Sequence, residues 1–159
     1  MSTSEQLTEV HIVGFPLQIH KAVAEHFDEL KREFALLRLK ENRTDSTPSR
    51  LLTVIDQLSD RYRGFSTTPN EVRDEAFRRG DETVDLAYSV PASVKDACIE
   101  LEQLLDEADQ FCKAGEHLLT LAAPPEVVAF RRWFLQEFVR QIEGEEPMSW
   151  SEYRTASRA

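Results

Sequence analysis

The stretch that decides the fold reads Val84-Asp85-Leu86-Ala87-Tyr88-Ser89-Val90, then Pro91, then a helical pattern from Val94 to Lys113. Val84, Leu86, Tyr88 and Val90 alternate with Asp85, Ala87 and Ser89, the period of a strand with one apolar face. Pro91 suits the junction. It biases the residue before it toward extended geometry, and its missing amide is harmless in the first turn of a helix. Beyond it Val94, Ala97, Cys98, Leu101, Leu104, Leu105, Ala108, Phe111 and Cys112 recur every three or four residues, one unbroken helical stripe. Ser93, with Asp96 three residues on, resembles a capping box, and Gly115 is placed to end the helix.

The same plan recurs on both sides. Residues 11–15 (His-Ile-Val-Gly-Phe) precede Pro16 and a helix over about 17–40, whose stripe is Ile19, Val23, Phe27, Leu30, Phe34 and Leu37. Residues 117–122 precede Pro124-Pro125 and a helix over about 126–143. Three strand-proline-helix units predict a helix-rich α/β fold with a small sheet of about three strands and helices packed mainly on one face. The second and third strands are expected to pair parallel across the helix between them, and an antiparallel first strand stays open. Between the first two units the reading is a polar loop at 42–48, then a short helix from Pro48 that ends near Gly64. A second loop at 66–70 and a short helix over 71–79 follow, the latter stopping at Gly80. One domain is expected over residues 9–150, with 1–8 disordered, an extended tail after Gly144 anchored by Trp150, and 151–159 frayed.

Composition narrows the function. The chain has 159 residues, with 19 Lys and Arg against 29 Asp and Glu, a formal net charge of -10. Such a surface repels polyphosphate, so nucleic-acid binding is not expected. No apolar run is long enough to span a membrane. The polar, acidic start (Met-Ser-Thr-Ser-Glu) lacks the features of an export signal, and a cytoplasmic location is expected. Cys98 and Cys112 lie on one helix, too far apart to bridge, and read as buried free thiols.

No motif carries an assigned chemistry. The chain lacks a phosphate-binding Gly-x-x-x-x-Gly-Lys loop, a nucleophile elbow, a Gly-x-Gly-x-x-Gly turn and any His-Glu-x-x-His or Glu-x-x-His pattern. Asp106-Glu107-Ala108-Asp109 falls inside the second helix with Ala108 inward and reads as a solvated acidic face. No catalytic residue, cofactor or metal is therefore expected. Arg61, Arg63, Arg73, Arg78 and Arg79 cluster in the middle of the chain. The acidic face of Glu100, Glu102, Asp106, Glu107 and Asp109 could complement them, or the basic edge could receive a partner.

The last long helix is the informative one. Arg131 sits inside an apolar arc of Val127, Phe134, Leu135, Phe138 and Ile142, and Phe130 and Trp133 widen that arc past half the circumference. A buried guanidinium must be paired; the stem is expected to lie along apolar side chains with its head at the surface or on a carboxylate, or else to meet an anion or a partner carboxylate. An arc that broad implies packing on two sides or an apolar face left for a partner. Arg131, Phe130, Trp133, Phe134 and Phe138 are thus the candidate partner- or ligand-binding residues.

Three segments carry a resemblance. Residues 25–34 (Glu-His-Phe-Asp-Glu-Leu-Lys-Arg-Glu-Phe), 104–112 (Leu-Leu-Asp-Glu-Ala-Asp-Gln-Phe-Cys) and the run from Leu118 through Pro125 to Leu135 resemble a family of small acidic actinobacterial proteins. The resemblance implies association with partner-switching regulators, namely anti-sigma factors, their antagonists and the phosphatases that reset them. It implies no ATP site, because the Asp-x-Gly-x-Gly and asparagine-box features of the anti-sigma kinases are missing. Two readings result. One is a non-enzymatic cytoplasmic adaptor domain that binds a regulator or a second copy of itself; the other is a small-ligand sensor with an apolar or anionic pocket near the last helix and Arg131.

Overall fold

The computed structural model describes residues 6–41, 46–114 and 123–157. Among them the elements run β1 (Leu7–Pro16), α1 (Leu17–Glu41), α2 (Thr47–Arg79), β2 (Thr83–Pro91), α3 (Val94–Ala114), α4 (Pro125–Ile142) and α5 (Trp150–Ser157). The fold is helix-rich α/β around a two-stranded antiparallel sheet. Val10, Ile12, Leu86, Tyr88 and Val90 form its buried face, whereas Glu9, His11, Asp85, Ala87 and Ser89 are exposed. One side of the sheet is therefore covered, as its alternation predicts.

A bulge corrects the phase of β1. The register shifts between Ile12 and Phe15, and Gly14 takes φ 69° there, a left-handed geometry that glycine adopts without strain. Its amide donates to Asp85 Oδ1 at 2.8 Å. Without the extra residue, Ile12 and Phe15 would lie on opposite faces; with it, both are buried.

Three expectations are corrected. The sheet has two strands among the described residues rather than about three, and they pair antiparallel, the arrangement left open for the first strand. The expected third strand at 117–122, and with it the parallel pair, lies outside the described residues. The two short helices expected between 48 and 79 are one helix of 33 residues, α2, which passes through Gly64 and Pro69. Its apolar residues explain why: Leu58, Tyr62, Phe65 and Pro69 are spaced three or four apart and Ala76 lies two turns further on, so the stripe never loses phase. The hydroxyls of Ser66 and Thr67 donate to the Arg63 carbonyl at 3.1 and 3.3 Å, bonding just upstream of the amide that Pro69 lacks. Finally, the tail is not frayed at 151, because α5 forms there, and β1 begins at Leu7, inside the segment expected to be disordered.

The ends of α2 follow local rules. The Ser46 hydroxyl accepts from the Ser49 amide at 3.3 Å, and Pro48 occupies the first turn. Gly80, at φ 84°, closes the helix in the left-handed conformation and donates to the Phe77 carbonyl at 3.0 Å.

Candidate functional site

α4 crosses the molecule with two unlike faces. On one, Trp133 is fully buried and donates from Nε1 to the Met148 carbonyl at 2.9 Å. One turn on, buried Glu137 pairs with Arg140 and accepts from the Met148 amide at 2.8 Å and from Gln141 Nε2 at 3.1 Å. Gln141 also clips onto β1, giving to the His11 carbonyl and receiving from the His11 amide, both at 2.8 Å. Every polar group of this face is matched, so the carboxylate of Glu137 is stabilised inside the fold. Trp150 and Tyr153 of α5 complete the cover, with Trp150 edge-on to Trp133 at 5.5 Å.

The other face opens on a cleft of about 610 Å³ between the sheet, α1, α2, α3 and α4. Its aromatic wall is Phe15, Phe130, Phe134, Tyr88 and Phe138, in ring contacts of 5.1 to 6.1 Å. Val23 and Phe27 of α1, Leu58, Tyr62 and Phe65 of α2, and Ala97, Cys98 and Leu101 of α3 line the rest. Tyr62 Oη and Ser93 Oγ share a hydrogen bond of 2.9 Å, so the Ser93 hydroxyl ties α3 to α2. A mostly apolar concavity of this size, edged by a few polar groups, is the usual form of a small-molecule site.

Arg131 lines this cleft, yet its head is held by its own chain. It pairs with Asp109 in the buried interior and with Asp106 at 3.1 Å, and Asp109 also accepts from the Ala123 amide at 3.3 Å. Arg132 shares Asp106 at 3.3 Å. Arg131 Nε is the one buried side-chain polar atom with no hydrogen-bond partner among the described residues. The acidic face of α3 therefore meets α4, and Glu102 accepts from Gln136 at 3.2 Å. The middle arginines pair locally instead: Arg63 with Asp60, Arg73 with Asp74, and Arg79 with Glu75 and Asp81. Only Arg50 of α2 reaches α3 among the described ion pairs, at 3.0 Å from Glu107.

A polar corner interrupts the aromatic wall. The His20 ring lies 5.0 Å from that of Phe15 and 6.2 Å from that of Phe130. Burial first, and then the Arg73 guanidinium, push its pKa down to about 4 against the pull of Asp74, so it is neutral at pH 7. Burial likewise pushes the Tyr88 phenol up to about 12, keeping its proton on. Burial also pushes the thiols of Cys98 and Cys112 up, to about 12 and about 11, so neither is a ready nucleophile. Both are free and buried. Among the described residues no three His, Cys, Asp or Glu side chains gather in a way that could hold a metal ion, and no helix is long and apolar enough to cross a membrane.

Of the five residues singled out in the sequence, Phe130, Arg131, Phe134 and Phe138 meet in the cleft, and Trp133 does not. Phe130, Trp133 and Phe138 are buried by their own chain, so the broad arc is not an outward docking face. His20, Arg73, Tyr88 and Phe15 are among the cleft residues that the sequence reading left unassigned to a site. The unbroken stripe of α2 would have placed Arg73 beside the apolar layer, and the alternation of β2 already put Tyr88 on the inner face. No family model, curated protein or solved structure matches the chain.

Proposed function

We infer that the protein is a small-molecule-binding domain, a sensor or carrier that holds a largely apolar ligand between the sheet and α4. The observation that carries this reading is the cleft itself: about 610 Å³ of space walled by aromatic and aliphatic side chains from six elements. Unfilled apolar volume costs stability, so a cleft of this kind favours an occupant. The adaptor reading loses its main motive, since the arc that prompted it faces inward. In the partner-switching setting that the sequence resemblance implies, occupancy of the cleft is the signal and a regulator reads it.

Titration with N-phenyl-1-naphthylamine, an uncharged dye that brightens in apolar surroundings, tests the reading. One saturable site is expected in the wild type. Ala97→Phe, which projects a ring into the cleft from α3, should weaken dye binding at least about tenfold with little change in melting temperature. Absence of saturable binding, or a variant that binds as well as the wild type, overturns it.

A further inference from the structure

The charge around the cleft runs against that of the chain. The protein has 29 acidic and 19 basic residues, yet the described residues lining the cleft include Arg63, Arg73 and Arg131 and no Asp or Glu. The three cations are not equivalent. Arg63 is exposed and faces Asp60 at 3.7 Å on its own helix. Arg131 already has two carboxylates on its head, one of them shared with Arg132, so the cluster offers a further anion no net positive charge.

Arg73 is different. Its ion-pair partner is Asp74, the next residue, at 3.1 Å and 60% exposed, and its Nη1 donates to Asn70 Oδ1 at 3.2 Å. Each terminal nitrogen of the guanidinium keeps a further N–H. His20 and Tyr88 lie close enough for the Arg73 charge to act on both. Neither makes a hydrogen bond to a described residue, although Tyr88 is only 6% exposed. The Tyr88 side chain lines the cleft, so its hydroxyl keeps its donor available to an occupant. The corner thus gathers one cation with spare donors, a neutral phenol donor and a neutral imidazole, all beside an aromatic wall.

We propose that the cleft selects an apolar monocarboxylic acid, its carboxylate received by Arg73 and the Tyr88 hydroxyl beside His20, its body along Phe15, Phe130, Phe134 and Phe138. The charge count favours a monoanion, because a phosphate dianion would face a single available cation. The planar guanidinium matches a planar carboxylate. This proposal rests on the reading of the cleft as a ligand site.

Competition against the bound naphthylamine dye separates the two claims. Decanoate should displace it at about tenfold lower concentration than decanol or methyl decanoate, and decylamine should be the weakest competitor. Arg73→Gln should abolish the preference for decanoate while dye and decanol still bind, and Tyr88→Phe should reduce it severalfold. Equal displacement by decanoate and decanol in the wild type overturns the acid selectivity and leaves the cleft reading standing. Failure of the dye to bind at all overturns both. Full preference retained in a folded Arg73→Gln protein removes the assignment to this corner, and the wild-type comparison needs no variant to fold.

Discussion

The two faces of α4 each hold large aromatic side chains, but only one adds a carboxylate and an amide, and the two do opposite things. Around Trp133, Glu137 and Gln141 the chain folds back on itself, and indole, carboxylate and amide all find partners in the tail and in β1. Around Phe130, Phe134 and Phe138 an equally aromatic surface looks into open volume. The difference lies in what faces each side. One has a segment of the same chain with carbonyls and amides within hydrogen-bond reach; the other faces the sheet, α1, α2 and α3 across the cleft. Aromatic breadth on a helix therefore identifies a two-sided environment, and the hydrogen-bond partners decide which side is structural.

Paired truncations test that contrast most strongly. Trp133→Leu should cost about 3 kcal/mol or more, since it empties packed volume and orphans the Met148 carbonyl. Phe134→Leu, half-buried beside the cleft, should cost less than about 1.5 kcal/mol. Comparable losses by urea denaturation would mean that the cleft side is as tightly packed as the tail side. Arg131→Ala comes next, at about 3 kcal/mol, because it leaves Asp109 buried without its counter-charge. Dye affinity in the folded fraction should hardly change; a strong loss of binding with unchanged melting would transfer Arg131 from brace to ligand contact.

The last effect is a pH dependence. His20 titrates near 4 in the folded chain and near 6.5 when unfolded, so the unfolded state takes up the proton first as the pH falls. This contribution is constant above about 6.5 and destabilises progressively from 6.5 down to 4. Arg73 of α2 reinforces the effect and Asp74 opposes it. His20→Phe should flatten that part of the profile relative to the wild type when urea midpoints are followed across the window; parallel curves would show that His20 is well solvated.

Much of the architecture was legible in the residues. The alternation at 84–90 marks β2, the stripe from Val94 to Cys112 marks α3, and the prolines at 16 and 91 fall where strand ends and helix begins. The placement of Arg131 among apolar neighbours could also be deduced from the wheel of α4. Gly64 and Pro69 misled because they are local breakers, whereas the continuity of α2 depends on a stripe read over 33 residues. The helix α5 was missed for a related reason: eight residues have little helical stability of their own, and this segment is held by Trp150 and Tyr153 against the core.

By itself, then, the sequence determined β2, α3 and the strand-to-helix junctions, which faces are apolar, and that an arginine sits within an apolar arc. These depend on local periodicity, a property of short windows. Tertiary structure alone decided that the sheet is an antiparallel pair, that Asp106 and Asp109 of α3 serve α4 while Glu107 serves α2, and that His20, Arg73 and Tyr88 line one cleft. Those juxtapositions bring together residues dozens of positions apart, and they follow from how the elements stack, which no single stretch of chain encodes.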